Sequence, residues 1–267
     1  MGVFCCFFCY DCFMSDIRIL PIGSGSTGNC FYFELGNNRI LLDMGIGYHR
    51  VRNNLLKYGI GLEKIDAIFL THGHYDHVKA AVPITNHTRC KVFADQSVMY
   101  SIRNIQAERI GIVTEMCFEP LDGLFVTAFS VPHDFVRTCA YVFEWKEKKL
   151  SYVTDCGEMN DRIIDFIKGS DVLIIESNHD VQMLKNGPYP YPLQKRILSR
   201  YGHLSNEQCG DTIDKAYLNG TKNFLLAHVS LINNTFEKAL KTAQERMEGK
   251  NVRIHVCHDQ GDDMLEF

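Results

Sequence analysis

The stretch Leu70-Thr-His-Gly-His-Tyr-Asp-His-Val78 follows an apolar run, residues 66–70, that reads as a buried strand. His72, His74, Asp76 and His77 crowd three imidazoles and a carboxylate into the turn after it. Burying that many polar groups without a partner is costly. Imidazole nitrogen and carboxylate oxygen are also the donors that borderline divalent cations prefer. The stretch therefore predicts a metal-binding turn at the end of a core strand.

Working outward, the chain of 267 residues is long enough for one sizeable core. Lys and Arg number 28 against 32 Asp and Glu, a net charge of −4, so no global basic field draws in nucleic acid or anionic membrane. Any nucleic-acid contact must come from a locally basic surface. No apolar run approaches the ~20 residues that span a bilayer, so no membrane partner is expected. Four of the eleven cysteines, Cys5, Cys6, Cys9 and Cys12, fall in the first thirteen residues. The others are scattered through apolar runs, the pattern of reduced core thiols in a cytoplasmic protein. Residues 1–13 lack the basic start of a secretory signal, and Cys6 breaks the myristoylation pattern after Gly2. They read as a Cys-rich extension ahead of a single domain, residues 14–267.

Within that domain, strand patterns fall at 17–22, 30–35, 39–43, 91–94, 124–131, 139–145, 150–154, 172–175, 223–227 and 252–256. Helical patterns fall at 48–58, 96–105, 160–168 and 206–219. Ser205 and Gln208 form a capping box for the 206–219 helix, and Asn234 with Glu237 marks the start of a last helix reaching about residue 248. The glycine-rich loop 23–29 lacks the Lys-Ser/Thr of a phosphate-binding P-loop and enters a strand rather than a helix. With no repeats and no internal break in composition, this is one α/β domain.

Three further polar residues each end an apolar strand: His133 after 126–131, Asp155 after 150–154, and His228 after 224–227. Strand ends on one edge of a sheet converge, which is how distant side chains assemble a site. Joined to the His72–His77 cluster they complete a two-metal set of five histidines and two aspartates. Asp43, also at a strand end, is a candidate to orient a ligand histidine from behind.

His-x-His-x-Asp-His after a strand, followed by His, Asp and His at successive strand ends, resembles the metallo-β-lactamase fold. That resemblance implies an αβ/βα four-layer sandwich, two facing mixed sheets with helices outside. It implies one cation on His72, His74 and His133, another on Asp76, His77 and His228, and Asp155 bridging them. Zn or Mn suits such a site, and Fe is compatible. A narrower likeness is carried by Ser24-Gly-Ser-x-Gly-Asn29, by the run from Glu176 to Asn206, and by His228-Val-Ser-x-x-Asn-Asn234. These resemble the bacterial YycJ/WalJ-like proteins, which implies a DNA exonuclease with a role in DNA repair.

The residues themselves lean the same way. The 178–206 segment carries Lys185, Lys195, Arg196 and Arg200 against the single acid Asp180, so it is basic in an acidic protein. Tyr189, Tyr191 and Tyr201 are spaced among them and suit stacking on bases. His179, Lys195, Arg196, Arg200, His203 and Ser205 are the candidate phosphate contacts. The expected reaction is two-metal hydrolysis of a nucleic-acid phosphodiester, DNA ahead of RNA, with Asp76, Asp155 and His203 at the reacting centre. The alternative is a small-molecule metallohydrolase of the thioesterase, lactonase or β-lactamase kind, for which a basic segment has no use.

Overall fold

A computed structural model describes residues 15–267. The Cys-rich extension expected over residues 1–13 lies outside the described residues. The chain opens with an antiparallel meander of β1 (Ile17–Gly23), β2 (Cys30–Leu35) and β3 (Asn38–Leu42). Helix α1 (Tyr48–Lys57) then carries it to β4 (Ala67–Phe69), which lies parallel to β3. The short helices α2 (Tyr75–Val78) and α3 (Ala81–Thr85) lead to β5 (Lys91–Ala94) and β6 (Ile110–Ile112).

The second half begins with the antiparallel strands β7 (Met116–Leu121), β8 (Leu124–Val131), β9 (Thr138–Trp145) and β10 (Lys148–Val153). It continues through α4 (Asp161–Ile167), β11 (Val172–Glu176), α5 (Val181–Asn186), α6 (Tyr191–Ile197) and α7 (Asn206–Leu218). The last elements are β12 (Asn223–Ala227), α8 (Phe236–Arg246), β13 (Arg253–Val256) and β14 (Leu265–Glu266). Strands β10 to β13 run parallel to one another.

Two seven-stranded mixed sheets result, ordered β14-β1-β2-β3-β4-β5-β6 and β13-β12-β11-β10-β9-β8-β7. Their strands are apolar on both faces because each sheet is covered twice. Phe33 meets Phe143 edge-on with ring centroids 4.8 Å apart, and Phe69 meets Tyr141 at 5.3 Å, filling the space between the sheets. The outward residues of the first sheet pack on Val51 and Leu55 of α1 and Ile84 of α3. Those of the second pack on Ile163 of α4, Ile213 of α7 and Ala239 of α8. The order helix–sheet–sheet–helix is the four-layer sandwich expected. Among the described residues no helix is long and apolar enough to cross a membrane.

Two local expectations differ. The 96–105 helix is only a 3-10 turn, Gln96–Tyr100, started by Asp95 accepting from Ser97 N. Asn104 just beyond takes φ +79°, a backbone turn that no helix continues through. Helix α8 is capped by Thr235, whose hydroxyl accepts from Lys238 N, rather than by Asn234. The Asn234 Oδ1 instead accepts from Asn206 Nδ2 at 2.9 Å, while its amide donates to the Ser177 carbonyl and to Asn206 Oδ1, a buried network that holds the side chain away from the helix end. Ser205 and Gln208 do form the capping box of α7.

Candidate metal centre

The parallel strands deliver their C-terminal ends to one edge of the sandwich. Asp43 follows β3, His72 follows β4, His133 follows β8, Asp155 follows β10, and His228 follows β12. Asp43, Asp155 and His228 each turn the chain there with a left-handed backbone, φ of 56°, 52° and 56°. Non-glycine residues seldom adopt this conformation, and Asp and His are among those that best tolerate it. Such strain of about 1–3 kcal/mol per residue persists where surrounding contacts enforce it, and it clusters at working sites.

The turn at 72–77 is clamped from behind. Met44 N donates to the His77 carbonyl at 2.7 Å, and Asn29 N donates to the Asp76 carbonyl at 2.8 Å. Gly45 makes this approach possible: a Cβ there would stand 1.6 Å from the Asp76 carbonyl oxygen. Asp43 accepts from Thr71 N at 2.9 Å and lies 2.8 Å from His77 Nδ1. With Nδ1 engaged, Nε2 is the nitrogen His77 turns toward Asp155 Oδ2, at 3.2 Å, and Asp76 Oδ2, at 3.5 Å.

Four groups of donors result, each with its atoms within 4.8 Å of one another. His72, His74 and His133 make one group, and Asp76, His77 and His228 another. Asp155 joins His72 and His77 in a third group, and Glu176, His203 and His228 in a fourth. Three donor atoms in this cluster, His133 Nε2, Asp155 Oδ2 and His228 Nε2, are buried with no hydrogen-bond partner. Orphaned buried donors aimed at common points fit divalent cations, which would satisfy them.

The electrostatics agree. Burial pushes the His72 pKa well down, keeping the ring neutral as a ligand must be. Burial acts the same way on His228, but Asp155, Asp76 and Glu176 outweigh it and hold that pKa up at about 10. Asp43 and Asp155 likewise hold His77 well above its ordinary value against the effect of burial. Asp43, Asp76, Asp155 and Glu176 thus favour positive charge at this spot, which a divalent ion would supply.

A cavity of about 170 Å³ opens onto this edge, lined among others by His133, Asp134, Tyr189, Arg196 and His203. Of the expected phosphate contacts, His203 and Arg196 reach it, the latter paired with Asp134. Lys195 lies in a second concavity with Lys185 and Tyr191. Arg200 does not line the cavity; it pairs with Glu158 at 3.5 Å and lies over the Tyr201 ring. Two expectations are corrected. His179 is 1% exposed and Ser205 4%, so neither presents a donor to a ligand in the cavity. His179 packs inside the scaffold, bridged by its backbone to Ser205, and Ser205 Oγ is occupied by Gln208 N.

Sequence reasoning missed Glu176. It is fully buried at the end of β11, and its Oε1 lies 2.8 Å from His203 Nδ1 and 2.6 Å from His228 Nδ1. Burial opposes its ionisation, but His203 and His228 outweigh that and hold its carboxyl at about 2. An acid ending an apolar strand, the feature used for Asp155, was the available signal.

Residues 38–229 match the family described as the beta-lactamase superfamily domain. The chain belongs to the beta-lactamase superfamily. With this family and these relatives, the chain is a metal-dependent hydrolase. It is 31% identical to the exodeoxyribonuclease YycJ of Bacillus anthracis over 237 residues, 87% of this chain and 90% of that one. It is 30% identical to the exodeoxyribonuclease WalJ of Streptococcus pneumoniae (strain D39), over 91% of this chain and 93% of that one. Among solved structures, the metallo-beta-lactamase fold protein YhfI from Bacillus subtilis superposes with a TM-score of 0.72. It shares 16% identity and covers 95% of this chain and all of that one. Zn-bound PqqB from Methylobacterium extorquens superposes at 0.64, with 18% identity and coverage of 94% and 100%. These two bear on the fold of this superfamily member, and the sequence relatives on its subgroup.

Proposed function

We propose that this superfamily member is a two-metal exodeoxyribonuclease that trims DNA during repair. The carrying observation is the pair of donor groups, His72/His74/His133 and Asp76/His77/His228, with Asp155 in contact distance of both. Two relatives of similar length are named exodeoxyribonucleases, which supports DNA over RNA. Zn or Mn is the expected pair. When bound, the ions supply a water of lowered pKa and positive charge for the phosphoryl oxygens.

The rest is the work of this chain's side chains. Asp155 presents Oδ1 3.8 Å from His133 Nε2 and Oδ2 3.2 Å from His77 Nε2, so its two oxygens face different groups. Asp76 presents Oδ2 to both His77 and His228, at 3.5 and 3.6 Å. His203 is fixed through Nδ1 on Glu176, which leaves Nε2 as the nitrogen that holds a proton for the departing oxygen. Arg196, exposed at the cavity rim, steadies a backbone phosphate once it exchanges Asp134 for it. Tyr191 and Tyr201 are 74% and 50% exposed nearby, open to stack on unpaired bases.

The test is a time course on end-labelled single- and double-stranded DNA and RNA with Zn or Mn, run beside a thioester panel. DNA shortening from an end is expected, and it should vanish in His74→Ala and Asp155→Ala while both variants stay folded. Wild-type-like cleavage by either variant sinks the site assignment. Thioester turnover without DNA cleavage replaces the reading with a small-molecule hydrolase.

A further inference from the structure

Strand β13 is the outer edge of the second sheet and β14 the outer edge of the first, so residues 257–264 cross from one sheet to the other. His255 and Cys257 are two positions apart on extended backbone and therefore face the same side. Cys257 is fully buried in the space between the sheets. Asp262, held to the first sheet by its N–H on the Pro21 carbonyl, turns its carboxylate toward them. Its Oδ1 lies 3.2 Å from His255 Nε2 and 2.6 Å from His258 Nδ1, and its Oδ2 accepts from His258 N at 2.9 Å.

His255 Nε2 is the informative atom. It is buried and has no hydrogen-bond partner, although the Asp262 oxygen is close. One donor atom each from His255, Cys257 and Asp262 falls within 4.8 Å of the others. Zinc takes thiolate sulfur at about 2.3 Å and imidazole nitrogen at about 2.0–2.1 Å, so one ion reaches all three after small side-chain adjustments. Sulfur, nitrogen and oxygen together suit a borderline, thiol-binding cation.

We infer that His255, Cys257 and Asp262 form a separate site for a thiol-binding divalent cation of the zinc type, which staples the crossing between the two sheets. Binding releases the Cys257 proton to solvent. His258 is the positioning residue, holding the Asp262 carboxylate from the far side. The staple also braces the central site. Ser24 N donates to the His258 carbonyl at 3.0 Å, while Ser24 Oγ accepts from His228 N at 2.8 Å.

Cobalt separates this site from the central one. Among the described residues the central donor groups contain no cysteine, so a thiolate-to-cobalt charge-transfer band is not expected from them. Full-length protein produced with cobalt should show that band, and Cys257→Ser should lose it together with one cobalt per chain. His255→Ala, on an edge strand with its ring partly exposed, should also lose one cobalt while circular dichroism stays unchanged. It keeps the test decisive if Cys257→Ser folds poorly. The cysteines of residues 1–13 are common to all three proteins, so only the differences between them count. Unchanged cobalt content and an unchanged band in His255→Ala overturn the inference, as does a wild-type protein with no such band.

Discussion

Glu176 Oε1 lies 2.6 Å from His228 Nδ1, so the imidazole that ends β12 is oriented by the carboxylate that ends β11. The same oxygen is 2.8 Å from His203 Nδ1. One buried acid thus sets two rings of the candidate site. Partners that orient metal-binding histidines are typically worth about 10–100-fold in metal affinity or activity. Glu176→Gln keeps the shape but loses the charge and offers an amide donor where an acceptor is needed. Nuclease turnover should fall by about that factor, with metal content reduced and the fold intact. Turnover equal to wild type at saturating metal would remove Glu176 from the site.

Gly45 controls how close the loop after β3 comes to the candidate metal-binding turn. A Cβ at this position meets the Asp76 carbonyl oxygen at 1.6 Å, so Gly45→Ala must push Asp76 and His77 outward. Overpacking of this kind costs about 1–3 kcal/mol. A lower urea midpoint and a loss of turnover larger than the loss of folded protein are expected. Unaltered turnover in a stable Gly45→Ala protein would show that the turn is less tightly set.

His179 makes the scaffold acid-sensitive. Burial pushes its pKa down to about 4, from about 6.5 for a free imidazole. The unfolded chain therefore binds the proton more readily, and stability rises with pH between about 4 and 6.5. The contribution is fully present above pH 6.5 and is lost as pH falls toward 4. Complete loss amounts to about 3 kcal/mol. His179→Leu leaves no ring nitrogen to protonate, so urea midpoints measured from pH 7 to pH 4 should decline less steeply than for wild type. Parallel declines would contradict this.

Metal removal should both inactivate and soften the protein. His133 Nε2, Asp155 Oδ2 and His228 Nε2 are buried without partners, and cations binding only the native state raise its stability by mass action. Chelation should abolish cleavage and lower Tm by several degrees, and added Mn or Zn should restore both. A chelated protein with an unshifted Tm would mean that these donors are satisfied in another way.

Much of this was legible in the chain. The His72–His77 cluster could be read directly because its donors are contiguous and follow an apolar strand. His133, Asp155 and His228 followed from one rule, a polar residue at the end of a buried strand. Glu176 obeys the same rule but gave no sign of a partner. Its role depends on β11 lying between β10 and β12, which sets Glu176 between Asp155 and His228. The basic 178–206 segment was visible as composition. Composition does not say which side chains face out, so Arg196 reached the cavity while His179 was buried.

Asn234 shows the same limit at a helix end. Locally it is a good cap, but Asn206 Nδ2 occupies its Oδ1, the buried carbonyl of Ser177 takes its amide, and Thr235 takes the cap. Local chemistry within about six residues, where donor spacing and apolar period are contiguous, was therefore determined by the sequence alone: eleven of the fourteen described strands, four of the eight described helices and the metal-type turn. Tertiary structure decided what depends on strand order and on which face is covered. It set Glu176 against two histidines, withdrew His179 from solvent, and brought His255, Cys257 and Asp262 together across two sheet edges. Those pairings join residues far apart in the chain or on separate elements, and only packing of both sheets brings them within reach.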